Sequence, residues 1–121
     1  MPPAKILIVD DSKDILEGMR IFLELKKYDV STLSDARKIF ERIAEFNPDV
    51  LILDIYLSGI DGRELCKKIK SSNKTSHLKI ILFSAATNAL ENFQLHGADA
   101  CLEKPFGLEE ISQKIEAVLR N

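Results

Sequence analysis

Cysteine is scarce in this sequence: Cys66 and Cys101 are its only two, and neither sits in a CxxC or CxxH pattern. Nothing therefore points to a disulfide framework or a thiolate metal site, and two small buried thiols in a reducing cytosol are expected. No apolar run approaches the ~20 residues that a membrane helix needs. Met1 to Lys5 holds two prolines and no extended apolar core, so no signal peptide is expected. Neither sign of charge dominates, with 17 basic against 19 acidic residues. A net charge of −2 argues against a sequence-wide footprint for nucleic acid or membrane. Repeats, low-complexity tracts and linkers are missing as well. What remains, at 121 residues, is the expectation of one cytoplasmic domain over 1–121. That length is enough for a genuine core.

The most informative stretch is Pro48-Asp49-Val50-Leu51-Ile52-Leu53-Asp54. Val50 to Leu53 is too continuous in its hydrophobicity for a strand with one wet face, so it reads as a central strand of a parallel sheet. Asp54 then falls at the carboxyl end of that strand, where open α/β sheets place their ligand crevices. Lys5 to Val9 is a second buried strand, running into Asp10 and Asp11. Tyr28 to Leu33 reads as an edge strand, Leu78 to Phe83 as a strand ending on Ser84, and Asp99 to Leu102 as a last short one near Lys104.

Helical spacing fills the gaps between these strands. Ser12 or Asp11 can cap a helix with Ile15, Met19, Phe22, Leu23 and Lys26 on one face. Ser34 caps another, with Ala36, Ile39, Phe40 and Ile43 as its apolar stripe. Further helices are expected over Gly62–Lys70, over Asn88–Leu95 up to Gly97, and at the end, burying Leu108, Ile111, Ile115, Val118 and Leu119. Five βα units predict an α/β doubly wound, five-stranded parallel sheet of order 2-1-3-4-5, with its switch point between the first and third strands.

Asp10, Asp11, Asp54, Ser84 and Lys104 thus converge from four strand ends. Taken singly, Asp10 and Asp11 could be helix caps, Ser84 an ordinary hydroxyl and Lys104 a surface charge. Together, three close carboxylates repel in a partly desolvated site, and a hard cation offsets them. Mg²⁺ accepts one or two carboxylates and leaves positions for phosphoryl oxygens. Lys104 adds a mobile charge for phosphate, Ser84 adds a hydroxyl donor, and Asp is an established covalent nucleophile. The electrostatics point to an acyl phosphate on Asp54 as the expected chemistry.

Val9-Asp10-Asp11-Ser12, Leu53-Asp54 with Gly59-Ile60-Asp61-Gly62, Ser84-Ala85-Ala86 and Lys104-Pro105-Phe106 resemble the receiver domain of two-component response regulators. The ordered set covers essentially the whole chain. The resemblance implies a flavodoxin-like (βα)5 fold and a phosphoryl group passed to Asp54 from a sensor histidine kinase or histidine phosphotransfer protein. It implies Mg²⁺ held by Asp10, Asp11, Asp54 and the Tyr56 carbonyl, with Ser84 and Lys104 on the phosphoryl oxygens and a cis Lys104–Pro105 bond. A downstream effector protein or a fused output domain would read the result, with no direct nucleic-acid or membrane binding by this chain and no enzyme activity.

Three positions depart from the family pattern. Cys101 stands where an aromatic usually swings inward, and a thiol has no ring to rotate. Ser58 replaces a usual proline, and Tyr56 borders the phosphoryl group at a variable position. The competing reading is a haloacid-dehalogenase-type phosphatase or phosphotransferase with the same aspartyl-phosphate chemistry. That family uses a second acid two residues after its nucleophile, where this chain has Tyr56.

Overall fold

A computed structural model describes residues 2–121, the side chain of Thr87 excepted. Its elements, in chain order, are β1 (Lys5–Val9), α1 (Lys13–Leu25), β2 (Asp29–Leu33), α2 (Ile39–Phe46), β3 (Val50–Asp54), β4 (Tyr56–Leu57), β5 (Ile60–Asp61), α3 (Gly62–Ser71), β6 (Lys79–Ser84), β7 (Ala100–Glu103) and α4 (Leu108–Leu119). Five of the strands form one sheet in the order β2-β1-β3-β6-β7. Every pairing within that sheet is parallel, which is the expected doubly wound order. Strands β4 and β5 form a separate small hairpin over a stretch read as loop, closed through Gly59 at φ +71.

Period-two alternation explains why the central strands must be apolar throughout. Leu7, Val9, Leu51, Leu53, Ile80 and Leu82 point to the layer of α2 and α3. Ile6, Ile8, Val50, Ile52, Ile81 and Phe83 point to the layer of α1 and α4. Both faces are roofed, so every residue of β1 after Lys5 and every residue of β3 is buried. Among the described residues no helix is long and apolar enough to cross a membrane.

Four local expectations are corrected. Instead of a helix over Asn88–Leu95 there are two 3₁₀ turns, Thr87–Leu90 and Phe93–His96. The break falls at Asn92, which takes a left-handed φ of 56° that an uninterrupted helix excludes, as asparagine does more readily than most residues. Asp35, rather than Ser34, caps the next segment by accepting from the Arg37 amide, and a 3₁₀ turn precedes α2. Phe40 is 44% exposed and lies outside the core. Leu108 and Leu119 are also exposed, while Leu16 of α1 is buried in place of the half-buried Ile15.

Both thiols lie in the α2/α3 layer. Cys66 is fully buried, and burial pushes its thiol up to about 12, while half-buried Cys101 is also raised by burial. Iodoacetamide is therefore expected to leave Cys66 of the native protein unmodified near pH ~8, because only the thiolate attacks. Intact mass should then show at most one adduct until denaturant is added, and prompt double labelling of folded protein would contradict this packing.

Candidate functional site

The sheet carries its carboxyl ends to one edge, and register decides what meets there. Asp54 of β3 pairs with Phe83 of β6, and Ser84 pairs with Glu103 of β7. Asp10 follows β1, and Lys104 follows β7. By the alternation of each strand, Asp10, Asp54 and Lys104 all continue the rows that face α1 and α4.

The side chains meet accordingly. Lys104 Nζ lies 3.1 Å from Asp10 Oδ2 and 3.5 Å from Asp54 Oδ2. Asp10 and Asp54 are only 2% and 6% exposed, so this is a shielded cluster of two carboxylates around one ammonium. The other Asp10 oxygen accepts from the Ser12 amide at 2.8 Å. The other Asp54 oxygen accepts from the Tyr56 amide at 3.4 Å. Burial first, and then the neighbouring Asp10 carboxylate, push Asp54 up to about 6 against the pull of Lys104. The Lys104–Pro105 peptide is cis.

The remaining expected residues are placed differently. Asp11 is exposed and accepts from both the amide and the hydroxyl of Ser58, at 2.8 and 2.7 Å. The cap of α1 is Ser12, whose hydroxyl accepts from the Ile15 amide, so Asp10 and Asp11 are free of that duty. Ser84 is fully buried; its hydroxyl accepts from the Ala86 amide at 3.1 Å and its carbonyl from the Lys104 amide at 2.8 Å. Tyr56, whose amide reaches the Asp54 carboxylate, is 58% exposed. Among the described residues no three acidic, histidine or cysteine side chains are gathered as a metal cage, because Asp11 turns away to Ser58 while Asp10 and Asp54 close on Lys104.

Two contacts were not anticipated from the sequence. One is the Asp11–Ser58 bridge, which ties the loop after β1 to the β4–β5 hairpin. The other is the Phe83 ring, whose centroid lies 4.6 Å from Lys104 Nζ. Strand parity alone could have found it, since Phe83 precedes Ser84 and faces the same layer as Asp54.

The family profile described as "Response regulator receiver domain" matches residues 6–116. The chain belongs to that family. Response regulator MprA of Mycolicibacterium vanbaalenii is 34% identical over 120 residues, which are 98% of this chain and 51% of that protein. The receiver domain thus spans about half the length of the curated relatives it matches. Among solved structures, a two-component response regulator from Clostridium difficile superposes with a TM-score of 0.86 at 31% identity, covering 98% of this chain and 97% of that one. A CheY-like response regulator receiver domain protein from Methanospirillum hungatei JF-1 gives a TM-score of 0.86 at 29% identity, covering 98% and 94%.

Proposed function

We propose that residues 1–121 act as one phosphoacceptor module of a two-component or phosphorelay system, and that Asp54 is the residue modified. The observation that carries this reading is the shielded pairing of Asp54 with Lys104 and Asp10 at the carboxyl edge of the sheet. An Asp54 oxygen would attack phosphorus as the P–N bond of a phosphohistidine breaks, its electron pair returning to the imidazole. Lys104 would move its charge onto the transferring oxygens, and the Ser84 hydroxyl, whose oxygen accepts from the Ala86 amide, would donate its O–H to one of them.

Two carboxylates share one cation here, with a third acid nearby, so the donor set suits a hard divalent ion. Asp10, Asp54 and the Tyr56 carbonyl would hold Mg²⁺, with Asp11 joining once its Ser58 bonds are exchanged. When bound, the ion would neutralise charge on the phosphoryl group. Partners in this reading are a sensor histidine kinase or histidine phosphotransfer protein upstream and an effector protein or fused output domain downstream. The chain is read as a switch and not as an enzyme: a dehalogenase-type phosphatase would want an acid at position 56, and a phenol stands there.

Acetyl phosphate with Mg²⁺ should add one phosphoryl group to the intact mass, and chelator should prevent it. Steady hydrolysis of a generic phosphomonoester would favour the phosphatase instead. Tyr56, exposed two residues beyond Asp54, is read as a shield against the hydrolytic water. Tyr56→Ala is accordingly expected to shorten the lifetime of the phosphorylated form several-fold, followed by decay of the heavier mass after the donor is removed. An unchanged decay would remove Tyr56 from this role.

A further inference from the structure

We propose that Phe83 is a positioning residue for Lys104, holding the ammonium at the acid pair through the face of its ring. The proposal rests on the phosphoacceptor reading for its consequence, though not for its geometry. Lys104 Nζ lies over the Phe83 ring, 4.6 Å from the centroid, while two carboxylate oxygens stand at 3.1 and 3.5 Å. An ammonium carries three donors. The two carboxylates account for two directions, and the negative face of the ring fills a third.

The ring cannot drift from this position. Phe83 is fully buried, and its backbone is in register with Asp54, so the distance from nucleophile to ring is fixed by the sheet. It also meets Phe106 in an edge-type contact, centroids 6.0 Å apart at 68°. Phe106 follows Pro105 directly, so the segment that delivers Lys104 is itself packed on the ring that receives it. The Lys104 side chain is 20% exposed, which leaves it a path outward to water.

The value of a π partner is that the reaction does not consume it. A cation entering the site would draw the acid partners away from Lys104, and a phosphoryl group would exchange them for its own oxygens, so each acid contact is replaced as the reaction proceeds. The ring keeps its attraction through each of these states. Desolvated cation–π contacts are among the stronger ones, and Lys104 is four-fifths covered.

The test replaces Phe83 in the full chain by phenylalanine carrying one, two and then five ring fluorines, which drains the negative face while keeping the shape. Phe83→Leu serves as a genetic counterpart. Two readouts are taken: the side-chain order parameter of Lys104 Cε by carbon relaxation in the unmodified protein, and the initial rate of acetyl-phosphate modification with Mg²⁺. Both are expected to fall stepwise with fluorine number, the rate by roughly tenfold at full fluorination, in line with a contact at the desolvated end of the range. A Lys104 that stays equally ordered across a folded series overturns the proposal, as does a rate that ignores the series while order declines. Should the parent take no phosphoryl group at all, the functional reading fails while the order parameter still decides whether the ring holds the lysine.

Discussion

Asp54→Asn is expected to accept no phosphoryl group from acetyl phosphate and, in the same preparation, to be more stable than the parent at neutral pH without divalent cation. The first half follows from chemistry, because an amide oxygen is no substitute for a carboxylate nucleophile. The second follows from the site. Asp54 is buried beside Asp10, and the two share one ammonium, so its charged form is disfavoured and its proton is held up to about 6. An unfolded, solvated carboxyl titrates at its ordinary value of 3.8. Between those two values the folded state binds more protons than the unfolded state, so the contribution of Asp54 to stability falls as pH rises through that window and is fully unfavourable above it. At about 1.4 kcal/mol per pKa unit, the penalty at pH ~7 is on the order of 1–3 kcal/mol. Asparagine has no such penalty. Urea denaturation with chelator present should therefore show the variant ahead at pH ~7 and the gap shrinking toward pH ~4. A gap of the same size at both pH values would contradict the electrostatic account. Stability withheld at a functional site is a common trade.

How much of this was legible in the sequence depends on whether an element is defined by its own residues or by its neighbours. Val50–Leu53 and Ile6–Val9 announce a doubly covered sheet because burial on both faces admits nothing polar. Asp10, Asp54 and Lys104 were readable as strand-end residues, and strand parity brings them onto one side. Asp11 was grouped with them because it adjoins Asp10. Adjacent residues near a strand end face opposite ways, however, and the hydroxyl of Ser58 across the loop captured it. Phe40 satisfied the helical spacing of its stripe yet is exposed, since periodicity marks a face without saying how far the cover extends. Asn88–Leu95 reads as a helix up to Gly97, but Asn92 in a left-handed conformation divides the stretch into two turns. Cys101, which stands in for the usual aromatic, pairs with Leu82 and packs half-buried against this same layer. This face is therefore built from short turns and a small side chain.

The same substitution at two glycines should have opposite signs, and the larger effect falls beside Asp54. Gly62 opens α3 directly after its cap Asp61, and its amide donates to the Ile55 carbonyl at 2.7 Å. A Cβ at this position would sit 2.1 Å from the Asp54 carbonyl oxygen and 2.9 Å from Ile55 Cα. These are backbone atoms of a fully buried strand and the residue after it, with no flexible side-chain end to yield. Relief requires α3 to separate from the end of β3, stretching the Gly62–Ile55 bond and shifting Asp54 itself. Overpacking usually costs about 1–3 kcal/mol, and a clash between two backbones belongs at or above the top of that range. Gly62→Ala is thus expected to lower stability by ~3 kcal/mol or more and to slow acetyl-phosphate modification, since reactivity is sensitive to small displacements of an attacking group. Gly18 in the middle of α1 has nothing within 4 Å of its virtual Cβ. Gly18→Ala should therefore stabilise by about 0.5–1 kcal/mol, through helix propensity and a less disordered unfolded chain. Urea midpoints of the two variants, with slopes compared to confirm that the folded states remain alike, provide the measurement. Equal stability of Gly62→Ala and the parent would mean that α3 is not seated against Asp54, and the rigid placement of Asp54 at the sheet edge would lose its physical basis.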